Sequence, residues 1–470
     1  MGMTRRRFLT GAAASGAVLL ARPTGALAHA LGPAAAPGAD RASRLTPGRW
    51  LVHADLHNHT LFSDGDGDPA EAFASMRDNG LDVAALTDHA VLGGPLGLGM
   101  TGAIAAGCGS SCTSVRGIDD ASWADTASLA DGADEPGTFT AIRGFEWSSP
   151  TLGHVNVWFG QDWIDPERTA GLVGLEGLPG YLYDVPTLGP AVGEPLEALV
   201  TELPTTGAMM VPFFEWLKAS PGAPILGGGN DALAGFNHPG REPGRFGRFH
   251  FDAQLQDRIV SLELFNRNED YLFEGTDRGQ PSPLVECLAA GWKPGLLGVT
   301  DEHGTDWGAP VDKGRAGLWV TELTRAGVRE ALAQRRFFAT RERGLRVDAT
   351  IAGVPMGGTL AHRAGPVEVA LDVDGGPSWV GRRVIVQVLR PGSSLPEVAH
   401  ELELAVPGPD QPVVRFSVPL DIDDGPWVVL RLVDPEGEPD ARATGALASG
   451  RALAYVSPVY LLPAASDGAA

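Results

Sequence analysis

Cysteine is nearly missing from this chain: Cys108, Cys112 and Cys287 are all there is in 470 residues. So few thiols cannot staple a fold of this size, which must rest on a hydrophobic core. Cys108-Gly-Ser-Ser-Cys112 lies in a Gly/Ser/Ala-rich stretch with no further Cys or His beside it to complete a metal site. An oxidising compartment would permit a small-loop disulfide there, whereas Cys287, in the helical run 282–290, reads as a buried apolar residue. Positive charge is short as well, with 36 Lys and Arg against 58 Asp and Glu and a net charge of −22. Removing residues 1–28 takes away Arg5, Arg6, Arg7 and Arg22 and leaves about −26. That balance opposes non-specific binding to nucleic acid or to an anionic membrane. It does not oppose a small phosphorylated substrate, because bound divalent ions dominate the field inside a metal site. Long apolar runs are absent too. The stretch from Gly11 to Ala21 is short and glycine-interrupted, so no stable membrane anchor is expected.

What the N-terminus does contain is Thr4-Arg5-Arg6-Arg7-Phe8-Leu9, a small-residue stretch, and the motifs Ala26-Leu27-Ala28 and Ala28-His29-Ala30. These predict a Tat-type signal peptide over residues 1–30, with the Tat export machinery as a partner and a periplasmic or extracellular location. An Ala/Pro/Gly-rich disordered linker is expected over 31–48. From 49 to 343, strand-like runs alternate with helix signals. One is Asp68-Pro69-Ala70-Glu71, a cap followed by proline; others are expected at 194–203, 209–218, 282–290 and 326–335. The alternation predicts an α/β fold of parallel strands with crossover helices. Gly-rich insertions at about 91–137 and 160–193 interrupt it. After residue 344 helix signals cease, and segments such as 367–373, 383–389, 413–418 and 427–433 read as an all-β sandwich over 344–463, with a tail over 464–470.

The chemistry concentrates in short motifs at strand ends. Asp55-Leu-His57-Asn-His59-Thr60-Leu-Phe-Ser63-Asp64-Gly65 follows an apolar strand, and residues two apart on a strand face the same side. His57 and His59 therefore point one way together, as half of a transition-metal site. Thr87-Asp88-His89, Gly144-Phe-Glu146, Gly153-His154, Asn237-His238-Pro239 and Asp301-Glu-His303 follow in similar positions. Six of the eleven histidines thus sit at the mouths of strand-like runs.

In this order the motifs resemble the PHP (polymerase and histidinol phosphatase) family of metallohydrolases over residues 50–343. The β-rich tail and the segment 314–340 look like a branch that includes carbaryl-type carbamate hydrolases. The resemblance implies a distorted (β/α)7 barrel with two or three divalent ions (Zn, Mn or Fe) at its C-terminal mouth. Carried over residue by residue, one ion takes His57, His59, Glu146 and Asp301. A second takes Glu146, His154 and His238, and a third Asp64, His89 and His303. The expected reaction is hydrolysis of a small-molecule phosphoester by a hydroxide held between two ions, with Asp301 or His303 moving the proton. Arg241, Arg245 and Arg248 in a Gly/Pro loop, and Asn266 with Arg267 at a strand end, are candidate substrate contacts. Asp55 and Asp88 are expected to support ligand histidines. Trp147, Trp158, Trp163, Phe213, Phe214 and Trp216 offer either an apolar substrate wall or core. His29, His53, His250, His362 and His400 are expected bystanders.

Two other readings compete. Hydrolysis of a carbamate, ester or amide needs the same ions, and a non-catalytic envelope protein would keep them for structure alone. An amidohydrolase also opens with His-x-His, but such enzymes commonly use a carboxylated lysine. Here Lys218, Lys293 and Lys313 are the only lysines of the domain, and none adjoins a ligand motif.

Overall fold

In the computed structural model the described residues are 41–91, 117–149, 152–170, 207–242, 244–309 and 311–464. The expected signal peptide, the first part of the linker, Cys108 and Cys112, most of both insertions, the helix at 194–203 and nearly all of the tail lie outside them. No helix among the described residues is long and apolar enough to cross a membrane.

The first part of the chain is mixed α/β. Its strands are β1 (Trp50–Asp55), β2 (Val83–Leu86), β3 (His89–Ala90), β4 (Thr140–Ser149), β5 (Gly153–Trp158), β6 (Leu233–Phe236), β7 (Ile259–Asn266), β8 (Glu269–Asp270), β9 (Gly295–Val299), β10 (Arg315–Val320) and β11 (Phe337–Thr340). The longer helices are α1 (Pro69–Asp78), α2 (Asp120–Ala133), α3 (Val211–Lys218), α4 (Pro283–Ala290) and α5 (Arg325–Ala333). Helix α1 starts where the sequence predicts: the Asp68 carboxylate accepts from Ala70 N at 2.9 Å and Pro69 opens the first turn. Such a cap contributes about 1 kcal/mol. Phe73 and Met76 fall on the face that α1 buries.

The parallel pairs β1–β2, β2–β4, β6–β7 and β7–β9 follow the expected alternation. The direction of other strands departs from it. β5 runs antiparallel to β4, from which only three residues separate it, and is antiparallel to β6 as well. β10 lies antiparallel on β1, and β11 antiparallel on β10.

The later strands are β12 (Arg346–Ile351), β13 (Val354–Pro355), β14 (Thr359–Ala361), β15 (Ala364–Asp374), β16 (Arg383–Arg390), β17 (Glu397–Ala405), β18 (Val413–Asp421), β19 (Trp427–Asp434), β20 (Arg451–Val456) and β21 (Val459–Leu462). β13, β12, β15 and β18 form one antiparallel sheet, and β17, β16, β19 and β20 pair in another. Val369 and Leu371 of the first share a core with Val386, Val388, Leu430 and Leu432 of the second.

Two expectations about domain limits need correction. The boundary at 343/344 is crossed by a strand pair: Phe338, Ala339 and Thr340 of β11 register with Val456, Tyr455 and Ala454 of β20. Residues 41–48 of the expected linker are held in place. Arg41 pairs with Asp82 at 2.7 Å and Arg44 with Asp372 at 2.7 Å, and Ser43 hydrogen-bonds Asp348. Polar side chains supply the order that composition alone does not reveal.

Candidate metal centre

His57, His59, His238, Asp301 and His303 stand just beyond the C-terminal ends of strands, whereas His89 and His154 lie at the start of theirs, Glu146 lies within β4 and Asp64 lies in a turn. His57 and His59 follow β1, and both are fully buried. Their backbone is clamped by two distant indoles: Trp158 donates to the Leu56 carbonyl at 2.9 Å and Trp307 to the His59 carbonyl at 3.0 Å. The Ser-Asp-Gly turn is set by Asp88, which accepts from Thr60 N (2.7 Å), Thr60 Oγ1 (2.9 Å) and Ser63 Oγ (2.7 Å). Gly65 is required in that turn, since a Cβ there would lie 2.6 Å from the Thr60 nitrogen. Glu146 lies on β4, paired in register with His89 on β3.

The structure brings all nine predicted ligands together. His57 Nε2 and His59 Nε2 stand 3.1 Å apart and 3.5 and 3.2 Å from Asp301 Oδ1. Glu146 Oε1 is 3.2 Å from His57 Nε2, from His154 Nδ1 and from His238 Nε2. Asp64 Oδ1 lies 3.5 Å from His89 Nε2 and 3.4 Å from His303 Nε2. His89 Nδ1 approaches Glu146 Oε2 at 2.6 Å and so links the last group to the others.

Two of these ligands, His238 (φ 23°) and Asp301 (φ 48°), and the neighbouring Arg267 (φ 52°) have backbones in the left-handed region that non-glycine residues rarely enter. Such strain concentrates at sites where side-chain aim outweighs backbone comfort.

The donor set fits divalent cations. Asp64 Oδ1, His154 Nδ1, His238 Nδ1, Glu242 Oε2 and Asp301 Oδ2 are buried and make no hydrogen bond. Groups left in that state are expensive unless something else binds them. Two imidazole nitrogens 3.1 Å apart, aimed at a common carboxylate oxygen, are suited to one cation between them. Electrostatics agree in direction. Burial opposes ionisation of Glu146, yet His154, His57 and His89 hold its carboxyl well below the ordinary range. Burial likewise opposes charge on Asp301, and His57, Arg267 and His303 outweigh it. Burial and the neighbouring His303 and His89 hold the His59 imidazole well below its usual value, in the neutral form that binds metal.

Two glutamates that sequence reading overlooked complete the site. Glu263, inside β7 and 1% exposed, bonds His57 Nδ1 at 2.9 Å through Oε1. Its Oε2 accepts from His238 N (2.8 Å) and Asn266 Nδ2 (2.9 Å). Glu242 lies 3.6 Å from His154 Nε2 and 3.7 Å from His238 Nδ1, on the side of both rings away from Glu146. The available signal was an acid within an apolar strand run for Glu263, and an acid four residues after His238 for Glu242.

Several expected substrate contacts are placed otherwise. Arg245 is buried against Glu286 (2.9 Å) and the carbonyl oxygens of Pro281 and Glu274 (2.7 and 2.8 Å), so a substrate role does not fit it. The left-handed backbone from Arg245 to Phe249 turns this segment away from the cluster. Asn266 holds Glu263. Arg248 is exposed beside Glu286. Arg241 and Arg267 do reach the cluster, with Nη1 and Nε at 3.8 and 3.3 Å from Asp301 Oδ2. Asp55 accepts from Thr300 and from the His57 backbone, and therefore supports the chain and not a ring. Trp147, Trp158, Phe213, Phe214 and Trp216 are core residues. His53, His250, His362 and His400 stay outside the cluster.

Comparison with known proteins gives limited likenesses. A family described as proteins of unknown function, DUF3604, matches residues 98–165, a span that includes Glu146 and His154. No curated protein matches. Among solved structures, a two-domain protein from Bacteroides vulgatus, described as containing a predicted PHP-like metal-dependent phosphoesterase, is 14% identical with a TM-score of 0.39, over 90% of this chain and all of that one. A proposed metal-dependent phosphoesterase from Bifidobacterium adolescentis is 15% identical (TM-score 0.27) over 59% of this chain and 95% of that one. An amidohydrolase from Chromobacterium violaceum with bound sulfate and no metal is 17% identical (TM-score 0.24) over 53% and 87%. None of the three is similar enough to assign the fold or activity of this chain.

Proposed function

We propose that this chain is an exported, metal-dependent hydrolase of the PHP class that acts on small phosphoesters. The supporting observation is the convergence of nine ligand-type side chains, drawn from strands and loops between residues 57 and 303, into overlapping groups whose ligand atoms lie within 4.8 Å of one another. In this reading the parallel strands are part of a distorted (β/α)7 barrel, and the strands after residue 344 are a β-sandwich built onto its edge. Residues 1–30 are the Tat-type leader that takes the protein to the periplasm or outside the cell.

His57, His59, Asp301 and Glu146 would hold one ion, Glu146, His154 and His238 a second, and Asp64, His89 and His303 a third. When bound, such ions supply Lewis-acid polarisation of the scissile group and lower the pKa of water. Glu146 sets the spacing between the groups, since its two oxygens face His57, His154 and His238 on one side and His89 on the other. Arg241 and Arg267, at the rim beside Asp301, orient an anionic ester, because guanidinium matches phosphate geometry. Asp301 and His303 are the proposed proton carriers. His303 stands outermost with its ring 27% exposed, against 2% for Asp301.

The two rim arginines favour a phosphoester over a neutral carbamate, ester or amide. Of the aromatic residues that would have favoured the neutral substrate, all but the partly buried Trp163 are spent in the core. Elemental analysis of the purified protein, combined with assays on p-nitrophenyl phosphate, bis-p-nitrophenyl phosphate and 1-naphthyl carbamates, tests the assignment. Bound divalent metal with phosphoester turnover is the expected result. Turnover of uncharged substrates only would overturn the substrate class, and metal without any turnover would make this a binding protein.

A further inference from the structure

A cleft of about 610 Å³ lies between β1 and β10 on one side and the later strands on the other, and nothing in the proposed reaction uses it. Arg41, Arg44, Arg315, Arg343 and Arg346 line it, together with His53. Asp374 is the one carboxylate in the lining, and much of the remainder is Pro377, Val380, Pro407, Pro409 and Pro412. Asp374 lies 3.7 Å from Arg44, and the other acids that balance these arginines sit behind them. Asp372 takes Arg44 and Arg346, each at 2.7 Å, and Asp82 takes Arg41. Arg343 is different: it is exposed, its hydrogen bonds go to the carbonyl oxygens of Asn79 and Gly308, and no ion pair forms on it among the described residues. The ring of His53, 7% exposed, lines the same space.

We propose that this cleft binds a small amphipathic anion, with a carboxylate, sulfonate or phosphate head among the arginines and His53 and an apolar body against the proline-rich lining. A guanidinium array meets such a head through charge-assisted hydrogen bonds. In a chain carrying −22, five arginines around one cavity are not an average sample of its surface. The site is separate from the metal centre. His53 precedes His57 by four residues, on the order of 13 Å of extended chain.

Isothermal titration of the full metal-loaded protein with 2-naphthalenesulfonate tests this. Saturable one-site binding is expected, with 2-naphthylmethanol, the uncharged analogue, not binding and inorganic sulfate competing. Arg343→Gln, on an exposed residue whose loss threatens no buried ion pair, should weaken binding at least about tenfold. Arg41→Gln should weaken it in the same direction. Arg241→Gln/Arg267→Gln, at the metal centre, should leave it unchanged. Absence of saturable binding, equal affinity in Arg343→Gln, or a loss confined to Arg241→Gln/Arg267→Gln would each overturn the assignment.

Discussion

Glu263 Oε1 and His57 Nδ1 meet at 2.9 Å inside the sheet, both out of reach of solvent. With the proton on Nδ1, His57 keeps its Nε2 lone pair toward His59 and Asp301. Glu263→Gln keeps the shape but lets an amide N–H oppose the ring. Metal affinity, measured by competition with a chromophoric chelator, should fall about 10–100-fold while the circular dichroism spectrum is unchanged. Unaltered affinity would show that the ring needs no such partner.

Glu242 serves two rings at once, with Oε1 toward His154 Nε2 and Oε2 toward His238 Nδ1. At 3.6 and 3.7 Å these are ion-pair contacts and not hydrogen bonds, and Glu242→Gln removes the negative charge that faces both imidazoles. The expected outcome is selective loss of one ion in metal counts, about 10–100-fold in affinity, with the other ions retained. Equal loss of every ion would point to general unfolding.

His57→Ala and Asp301→Ala should each abolish turnover and lower bound metal, whereas His362→Ala should change neither. The His362 ring hydrogen-bonds the Leu420 carbonyl at 3.1 Å, away from the cluster. Equal activity in all three proteins would refute the site.

The arginines near His238 divide by role. Arg267→Ala should raise KM for phosphoesters about tenfold with little change in unfolding free energy. Arg245→Ala, which leaves Glu286 with Arg248 alone and takes the hydrogen bonds from two carbonyl groups, should cost about 3 kcal/mol in urea unfolding. The opposite pattern would reverse their assignments.

Away from the metal centre, burial and the nearby Asp372 push the Asp348 carboxyl up from 3.8 to about 6, against the hydrogen bond from Ser43 and the charge of Arg346. The native state therefore binds this proton more tightly than the unfolded chain. The resulting stability is present below pH 4, is lost as pH rises through 6, and amounts to about 3 kcal/mol. Asp348→Asn should remove that component. Its stability relative to the parent should rise between pH 4 and 7 by up to that amount in urea titrations, and a flat difference would contradict the assignment.

The ligands were legible because they fall in short polar motifs beside apolar strand runs, and alternation alone says that His57 and His59 share a face. Glu263 was not, since an acid within the buried run Ile259–Asn266 discloses its need for a partner but not which partner. Strand direction was likewise hidden. Apolar periodicity is the same in β5 whichever way it runs, and the antiparallel course of β5 and β10 depends on connection length and pairing. Arg245 and Asn266 misled because chain proximity to a ligand does not fix aim. A left-handed turn carries Arg245 off to Glu286, and Asn266 turns back toward Glu263.

The registry of Phe338, Ala339 and Thr340 with Val456, Tyr455 and Ala454 bears on biosynthesis. A nascent chain released at residue 343 would present the backbone N–H and C=O groups of Phe337–Thr340 as an open template for intermolecular pairing. The part that carries the candidate metal centre therefore depends on a strand made more than a hundred residues later, and a gene fragment ending at the apparent boundary should yield inclusion bodies in place of a folded protein.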